Sequence, residues 1–211
     1  MTPKESSRQT RQLCGLAPII PVIVIHDVAH ARPLAEALVA AGLPVLEVTL
    51  RTPAALEAIS EMAKVKGGHV GAGTLVTPED VRNAVKAGAT FGVSPGATSK
   101  LLDACEYEEL PILPGAATAT EAMVLLERGY DMLKFFPAEA SGGTPALKAI
   151  GAPLPQITFC PTGGITPDNA RDYLSLSNVI CAGGSWVAQQ ELMKAGRWDE
   201  IEALARDAAA I

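Results

Sequence analysis

Lys134 stands in Met132-Leu133-Lys134-Phe135-Phe136-Pro137, an apolar run in which a cation has no obvious carboxylate neighbour. Apolar surroundings disfavour an ammonium ion, and a lysine amine held neutral is a nucleophile for a ketone or aldehyde. The iminium it forms draws electrons and lets a nearby carbon–carbon bond break. A structural lysine paired with a carboxylate is the plainer alternative, and the strand context alone leaves both open.

Glu47 lies in Pro44-Val45-Leu46-Glu47-Val48-Thr49-Leu50, where period-two alternation sets Leu46, Val48 and Leu50 on one face and Glu47 and Thr49 on the other. On an inward face leading to a site, such a glutamate would serve as general acid and base. Its alternative is an ion pair with Lys134 or with Arg51. Arg51, just past that run, offers a planar fork suited to a substrate carboxylate, or is a solvated loop cation.

Two glycine pairs point to an anion: Gly163-Gly164, flanked by Thr162 and Thr166, and Gly183-Gly184, followed by Ser185. Backbone N–H groups uncovered by side chains at a helix start suit a phosphate, although simple turn glycines would read the same way. Metal chemistry has less behind it. His26, His30 and His69 lie apart, and the first two span a strand-to-helix junction rather than one helix face, so no metal site is expected. Trp186 and Trp198 fall in helical segments and read as packing residues. Cys14, Cys105, Cys160 and Cys181 are too widely spaced for zinc or redox motifs and read as buried thiols.

A repeating scaffold is needed to bring these positions together. Strand-like segments at 18–27, 44–50, 69–75, 89–94, 111–116, 130–136, 156–164 and 178–185 are each followed by a helical segment. Thr52-Pro53, Thr77-Pro78 and Thr166-Pro167 read as helix starts, with Thr as N-cap and Pro at the first helical position, and Thr118 to Glu121 spells a capping box. About eight such units predict an α/β protein of the (β/α)8 TIM-barrel type. It would be a single domain over residues 1–211, with residues 1–16 as an extra N-terminal helix or arm. An open doubly wound sheet also alternates strand and helix, but it needs a glycine-rich fingerprint where this chain has His26-Asp27-Val28-Ala29-His30. In the barrel the chemistry collects at the C-terminal strand ends, with phosphate bound after strands seven and eight, where both glycine pairs fall.

Composition narrows the partners. The chain has 211 residues, 48% hydrophobic, and 17 Lys plus Arg against 23 Asp plus Glu give a net charge of −6. That balance lacks the footprint of a nucleic-acid binder, and the apolar content argues against disorder. The N-terminal segment has no signal-peptide stretch, and the apolar run from Ala17 to Ile25 is short and broken by Pro18 and Pro21. A cytoplasmic protein with a small-molecule substrate and no membrane or nucleic-acid partner is expected.

The stretches Val45-Leu46-Glu47-Val48-Thr49-Leu50-Arg51-Thr52, Gly71-Ala72-Gly73-Thr74, Ser94-Pro95-Gly96, Pro114-Gly115, Lys134-Phe135-Phe136-Pro137-Ala138-Glu139, Phe159-Cys160-Pro161-Thr162-Gly163-Gly164-Ile165 and Gly183-Gly184-Ser185-Trp186 closely resemble the 2-keto-3-deoxy-6-phosphogluconate (KDPG) aldolase family, also known for 4-hydroxy-2-oxoglutarate (KHG) aldolase activity. The resemblance runs from about Pro18 to Ser185. It implies a class I, Schiff-base aldolase of the Entner–Doudoroff pathway, with no metal or other cofactor and a homotrimeric assembly. Carried onto this chain, it makes Lys134 the Schiff-base lysine, Glu47 the general acid and base, and Arg51 with Thr74 the pyruvate carboxylate site. It also makes Pro95, Phe136 and Thr162 pocket residues, and gives the phosphate to Gly163, Gly164, Gly184 and Ser185. The alternatives are a phosphosugar isomerase or epimerase using Glu47 as base without a covalent step, or a non-catalytic phosphate-ligand binder.

Overall fold

The computed structural model describes residues 1–211. Helix α1 (Pro3–Cys14) comes first, then β1 (Ile19–Ile23), a 3-10 turn (Val28–His30), α2 (Ala31–Ala40), β2 (Val45–Thr49), α3 (Ala55–Met62), β3 (His69–Gly73) and α4 (Pro78–Lys86). The chain continues through β4 (Phe91–Val93), α5 (Ser99–Tyr107), β5 (Ile112–Leu113), β6 (Gly115–Ala116), α6 (Ala119–Arg128), β7 (Met132–Phe135) and α7 (Gly143–Gly151). It ends with β8 (Thr158–Pro161), α8 (Ala170–Leu174), β9 (Ala182–Gly184), α9 (Gln190–Lys194) and α10 (Trp198–Ala209).

All strand pairs are parallel, and they run β5-β4-β3-β2-β1-β9 and β6-β7-β8. Pro114 separates β5 from β6: it has no N–H for the ladder, so the segment leaves β4 on one side of the proline and joins β7 on the other. Bridges Phe159–Val179 and Thr162–Gly183 link β8 to the β9 region. The result is an α/β fold built on a curled parallel sheet, with strand-then-helix order throughout.

Alternation along the strands sorts two cores. Leu46 and Val48 face outward to the helices with Leu34, Leu38 and Ile59, whereas Val45, Phe91, Val93, Leu113, Met132 and Cys160 fill the concave side. Burial on both faces is what a parallel sheet covered by helices requires.

The Thr-Pro helix starts hold at only one of three sites. Thr77 forms a capping box with Asp80, as Thr118 does with Glu121. Thr52 instead donates its hydroxyl to the Ile25 carbonyl, and α3 begins at Ala55 without a side-chain cap. Thr166-Pro167 opens a turn, and α8 begins three residues later behind Asn169. The Thr52 hydroxyl is taken by a carbonyl 27 positions away, whereas Thr166 keeps half of a capping box, its N–H donating to Asn169 Oδ1 three residues on, and the helix starts only after that turn. Trp186 lies in a turn rather than a helix, because α9 is shortened to Gln190–Lys194. Trp198 opens α10 and packs tilted on His30 with ring centroids 5.9 Å apart.

Helix α1 starts from a capping box of Thr2 and Glu5 with Pro3 in its first turn, and it lies across the N-terminal end of the sheet. Its buried face is polar: Ser6 Oγ accepts from Ile112 N–H at 2.9 Å, and Ser7 Oγ accepts from Asp131 N–H at 3.1 Å. Arg11 donates to the Asp131 carbonyl and carboxylate, both at 3.0 Å. The N–H groups at the beginnings of β5 and β7 thus find partners on a helix rather than in water. No helix is long and apolar enough to cross a membrane.

Candidate active site

Glu47 sits mid-way along β2 and Lys134 near the end of β7, both pointing into the concave side. Lys134 Nζ donates to Glu47 Oε1 at 3.2 Å, and the two residues are 5% and 3% exposed. The carboxylate partner that the sequence around Lys134 does not supply therefore comes from 87 residues away. Arg51 does not compete for it: it stands exposed past β2 without an ion-pair partner in the chain.

A glycine makes this pair possible. Gly73 lies opposite Thr49 in the β2–β3 register, and a Cβ there would stand 2.3 Å from Glu47 Oε1. Two strand positions earlier, Gly71 makes room for the Phe91 ring in the same way. The Gly71-Ala72-Gly73 alternation carried this signal, since a strand glycine marks a close approach. On the sequence Gly73 belongs to the Gly71-Ala72-Gly73-Thr74 motif but carries no role of its own.

Thr74 follows with φ 64°, a left-handed conformation that is rare and costly, roughly 1–3 kcal/mol, for a β-branched residue. Its flanks are fixed by Leu50 N–H to the Gly73 carbonyl at 2.8 Å and Leu75 N–H to the Val93 carbonyl at 3.1 Å, while its own N–H donates to no backbone group. Pro95 is held near by Gly115, whose missing side chain lets the Pro95 carbonyl approach; Gly115 in turn pairs in register with Lys134. The Phe136 ring lies 5.2 Å from Lys134 Nζ. Thr162 is buried, with Oγ1 at 4.0 Å from Cys160 Sγ.

The Thr162–Gly183 bridge sets the two glycine loops side by side, and Gly183 gives way to the Thr162 side chain. Gly163 and Gly164 have φ of 103° and 80°, and neither their N–H groups nor that of Ser185 donates to a backbone carbonyl. One expectation needs correcting: α8 and α9 begin at Ala170 and Gln190, so neither loop sits at a helix start, and the free N–H groups belong to the loops themselves. Gly184 has a structural reason of its own, because a Cβ there would meet the Trp186 ring at 2.0 Å.

Three of the four cysteines converge, which their spacing in sequence conceals. Cys14, Cys160 and Cys181 lie in one buried cluster beneath the Lys134–Glu47 pair. Hydrogen bonding among the thiols, followed by burial, pushes Cys14 and Cys181 up, while burial pushes Cys105 up to about 12. The raised thiols are poor nucleophiles, whereas hydrogen bonds from Cys14 and Cys181 pull the Cys160 thiol down. No group of three or more His, Cys, Asp or Glu is arranged to hold a metal ion.

A curled parallel sheet carrying a buried amine against a buried carboxylate, with an unpaired guanidinium and unpaired loop N–H groups beyond it, defines an α/β enzyme equipped for amine chemistry on an anionic substrate. The model of the KDPG and KHG aldolase family matches residues 10–204, and the chain belongs to that family. It is 53% identical over 194 residues to the 2-dehydro-3-deoxy-phosphogluconate aldolase of Pseudoalteromonas atlantica, covering 92% of this chain and 90% of the relative. Among solved structures it is similar to the 2-keto-3-deoxy-6-phosphogluconate aldolase of Zymomonas mobilis with 3-phosphoglycerate (TM-score 0.91, 48% identity, 97% of this chain and 96% of that one). It is equally similar to the KDPG aldolase of Legionella pneumophila with pyruvate captured as a covalent carbinolamine (TM-score 0.91, 46% identity, 94% and 97% covered).

Proposed function

We propose that this aldolase cleaves 2-keto-3-deoxy-6-phosphogluconate to pyruvate and glyceraldehyde 3-phosphate in the Entner–Doudoroff pathway, and also splits 4-hydroxy-2-oxoglutarate to pyruvate and glyoxylate. The observation that carries the mechanism is the buried 3.2 Å contact between Lys134 Nζ and Glu47 Oε1. One proton passing from Nζ to Oε1 leaves the free amine and arms Glu47 as an acid. The amine attacks the C2 ketone, Glu47 protonates the carbinolamine hydroxyl, and water leaves to give the iminium. Glu47, or a water beside it, takes the C4 hydroxyl proton, and the C3–C4 bond breaks with its electrons drawn into the iminium. The aldehyde departs, Glu47 protonates the enamine at C3, and hydrolysis frees pyruvate and the amine.

The remaining roles follow from which polar groups lack partners. Arg51 holds the substrate carboxylate with Thr74, whose strained backbone presents its N–H to the site. Pro95, Phe136 and Thr162 wall the pocket, and the loops of Gly163, Gly164, Gly184 and Ser185 hold the phosphate, contributing orientation far from the breaking bond. The iminium is the electron sink, so the step needs no metal or organic cofactor. The partners are the small-molecule substrate and further copies of the chain, with neither nucleic acid nor membrane. The enzyme works in the cytoplasm.

The finer architecture belongs to the same reading: one domain over residues 1–211, a (β/α)8 barrel closed through β5/β6 and the β8–β9 bridges, with α1 as the extra N-terminal helix. A homotrimer is the assembly the family resemblance implies, and the outer side of α6, where Met123 and Val124 are 49% and 59% exposed, offers a surface for it. There a cleft of about 480 Å³ is lined by Leu102, Val124 and Leu125 together with the charged Glu121, Glu127 and Arg128.

Borohydride reduction in the presence of pyruvate, followed by digestion and mass mapping, tests the mechanism. A reduced adduct is expected on Lys134. Turnover that resists borohydride would point instead to a non-covalent isomerase or epimerase, and phosphate binding without pyruvate proton exchange to a non-catalytic binder.

A further inference from the structure

The loop carrying Gly163 and Gly164 is clamped from outside the pocket. Thr166 N–H donates to Asn169 Oδ1 at 2.8 Å, and Asn169 Nδ2 donates to the Gly164 carbonyl at 3.1 Å, so one amide ties both sides of Ile165. On the opposite flank Glu139 N–H donates to the Gly163 carbonyl at 3.0 Å. The Glu139 stem lies so close to Gly164 that a Cβ there would be 2.6 Å from its Cγ. The Tyr173 hydroxyl donates to the Glu139 carboxylate from α8. None of these three side chains contacts the Lys134–Glu47 pair. Two consecutive glycines at φ 103° and 80° have more backbone freedom to lose than any other residues, and they have no side chains of their own to anchor them.

We propose that Asn169 is a positioning residue for the phosphate half of the substrate. Its two hydrogen bonds hold the Gly163 and Gly164 N–H groups in the orientation that receives a phosphate, and this sets the enzyme's preference for a phosphorylated over an unphosphorylated 2-keto acid. Glu139 and Tyr173 support the same loop from its other side. The proposal rests on the reading of these loops as the phosphate site.

The test compares Asn169→Ala with the unsubstituted enzyme on KDPG, on unphosphorylated KHG, and on exchange of the pyruvate methyl protons into D2O. With both hydrogen bonds removed, kcat/KM for KDPG falls about tenfold, most of it in KM. KHG cleavage and pyruvate exchange stay within about twofold, the range of a substitution that leaves their site untouched. Asn169→Ser, which keeps an acceptor for Thr166 N–H, recovers part of the KDPG loss and carries the test if the alanine variant does not fold. Equal losses on KDPG and KHG, or an unchanged KM for KDPG in a folded variant, overturn the proposal. The premise fails separately: inorganic phosphate that does not compete with KDPG in the unsubstituted enzyme removes the phosphate site itself.

Discussion

The two ends of the curled sheet handle their polar groups in opposite ways. At the N-terminal end, α1 supplies Ser6, Ser7 and Arg11 to N–H, carbonyl and carboxylate groups at Ile112 and Asp131, and the space behind it closes over Leu13, Cys14, Phe91 and Cys160. At the C-terminal end, Arg51, the Thr74 N–H and the N–H groups of Gly163, Gly164 and Ser185 have no backbone or carboxylate partner within the chain, and Thr74 is held in a costly conformation. Stability is concentrated where every buried donor is satisfied. In the proposed function, ligand binding falls where donors wait, because a group already paired has nothing left to offer a substrate.

Substitutions at the two ends should therefore separate activity from stability. The largest effect is expected for Lys134→Met, which keeps bulk but removes the amine: cleavage should fall on the order of 10⁴-fold or more, read as loss of aldehyde release. The same variant leaves Glu47 buried without its cation, so denaturant unfolding should show a loss of about 3–5 kcal/mol. Here the contrast between the ends blurs, because a buried pair is both reactive and structural. Retained turnover would show that another amine carries the chemistry.

Glu47→Gln should slow exchange of the pyruvate methyl protons by more than about 100-fold, and an unchanged rate by NMR would take Glu47 out of proton transfer. Gly73→Ala sharpens the geometric side of the comparison. The new Cβ must push the carboxylate aside, and a displacement of this size should lower kcat by about 10²-fold while Lys134 still forms its pyruvate adduct. Loss of the adduct as well would mean that Gly73 serves the strand more than the glutamate.

Arg51→Ala should raise KM for pyruvate-bearing substrates roughly 10- to 100-fold, the worth of a charge-assisted hydrogen bond, with unchanged unfolding free energy because Arg51 pairs with nothing in the chain. The smallest effect belongs to the sealed end. Ser7→Ala removes the acceptor for Asp131 N–H, and the midpoint of urea unfolding should report a loss of about 1–3 kcal/mol with kcat and KM unaltered. A kinetic change there would join the two ends that the structure separates.

Much of the fold was legible because it is periodic. Leu46 and Val48 outward against Glu47 and Thr49 inward is a statement about a strand of period two, and the sheet obeys it. The boxes at Thr77 and Thr118 are local, within four residues, and they form as the sequence predicts. Thr52 carries the same local signal, yet the Ile25 carbonyl, 27 positions away, captures its hydroxyl, and no window around the threonine contains that competition.

By itself the sequence determined the alternation of strand and helix, the inward set of Glu47 and the family to which the chain belongs, since each is written in neighbouring residues or in short motifs. Only the tertiary structure decided that Lys134 meets Glu47 rather than solvent, that Arg51 stays unpaired, that three cysteines gather under the pair, and that Gly73 makes room for the Glu47 carboxylate. Those outcomes join residues tens of positions apart in the chain. The closing of the sheet sets their distances, and backbone and side-chain atoms at contact range then decide which polar groups are paired and which are left for a ligand.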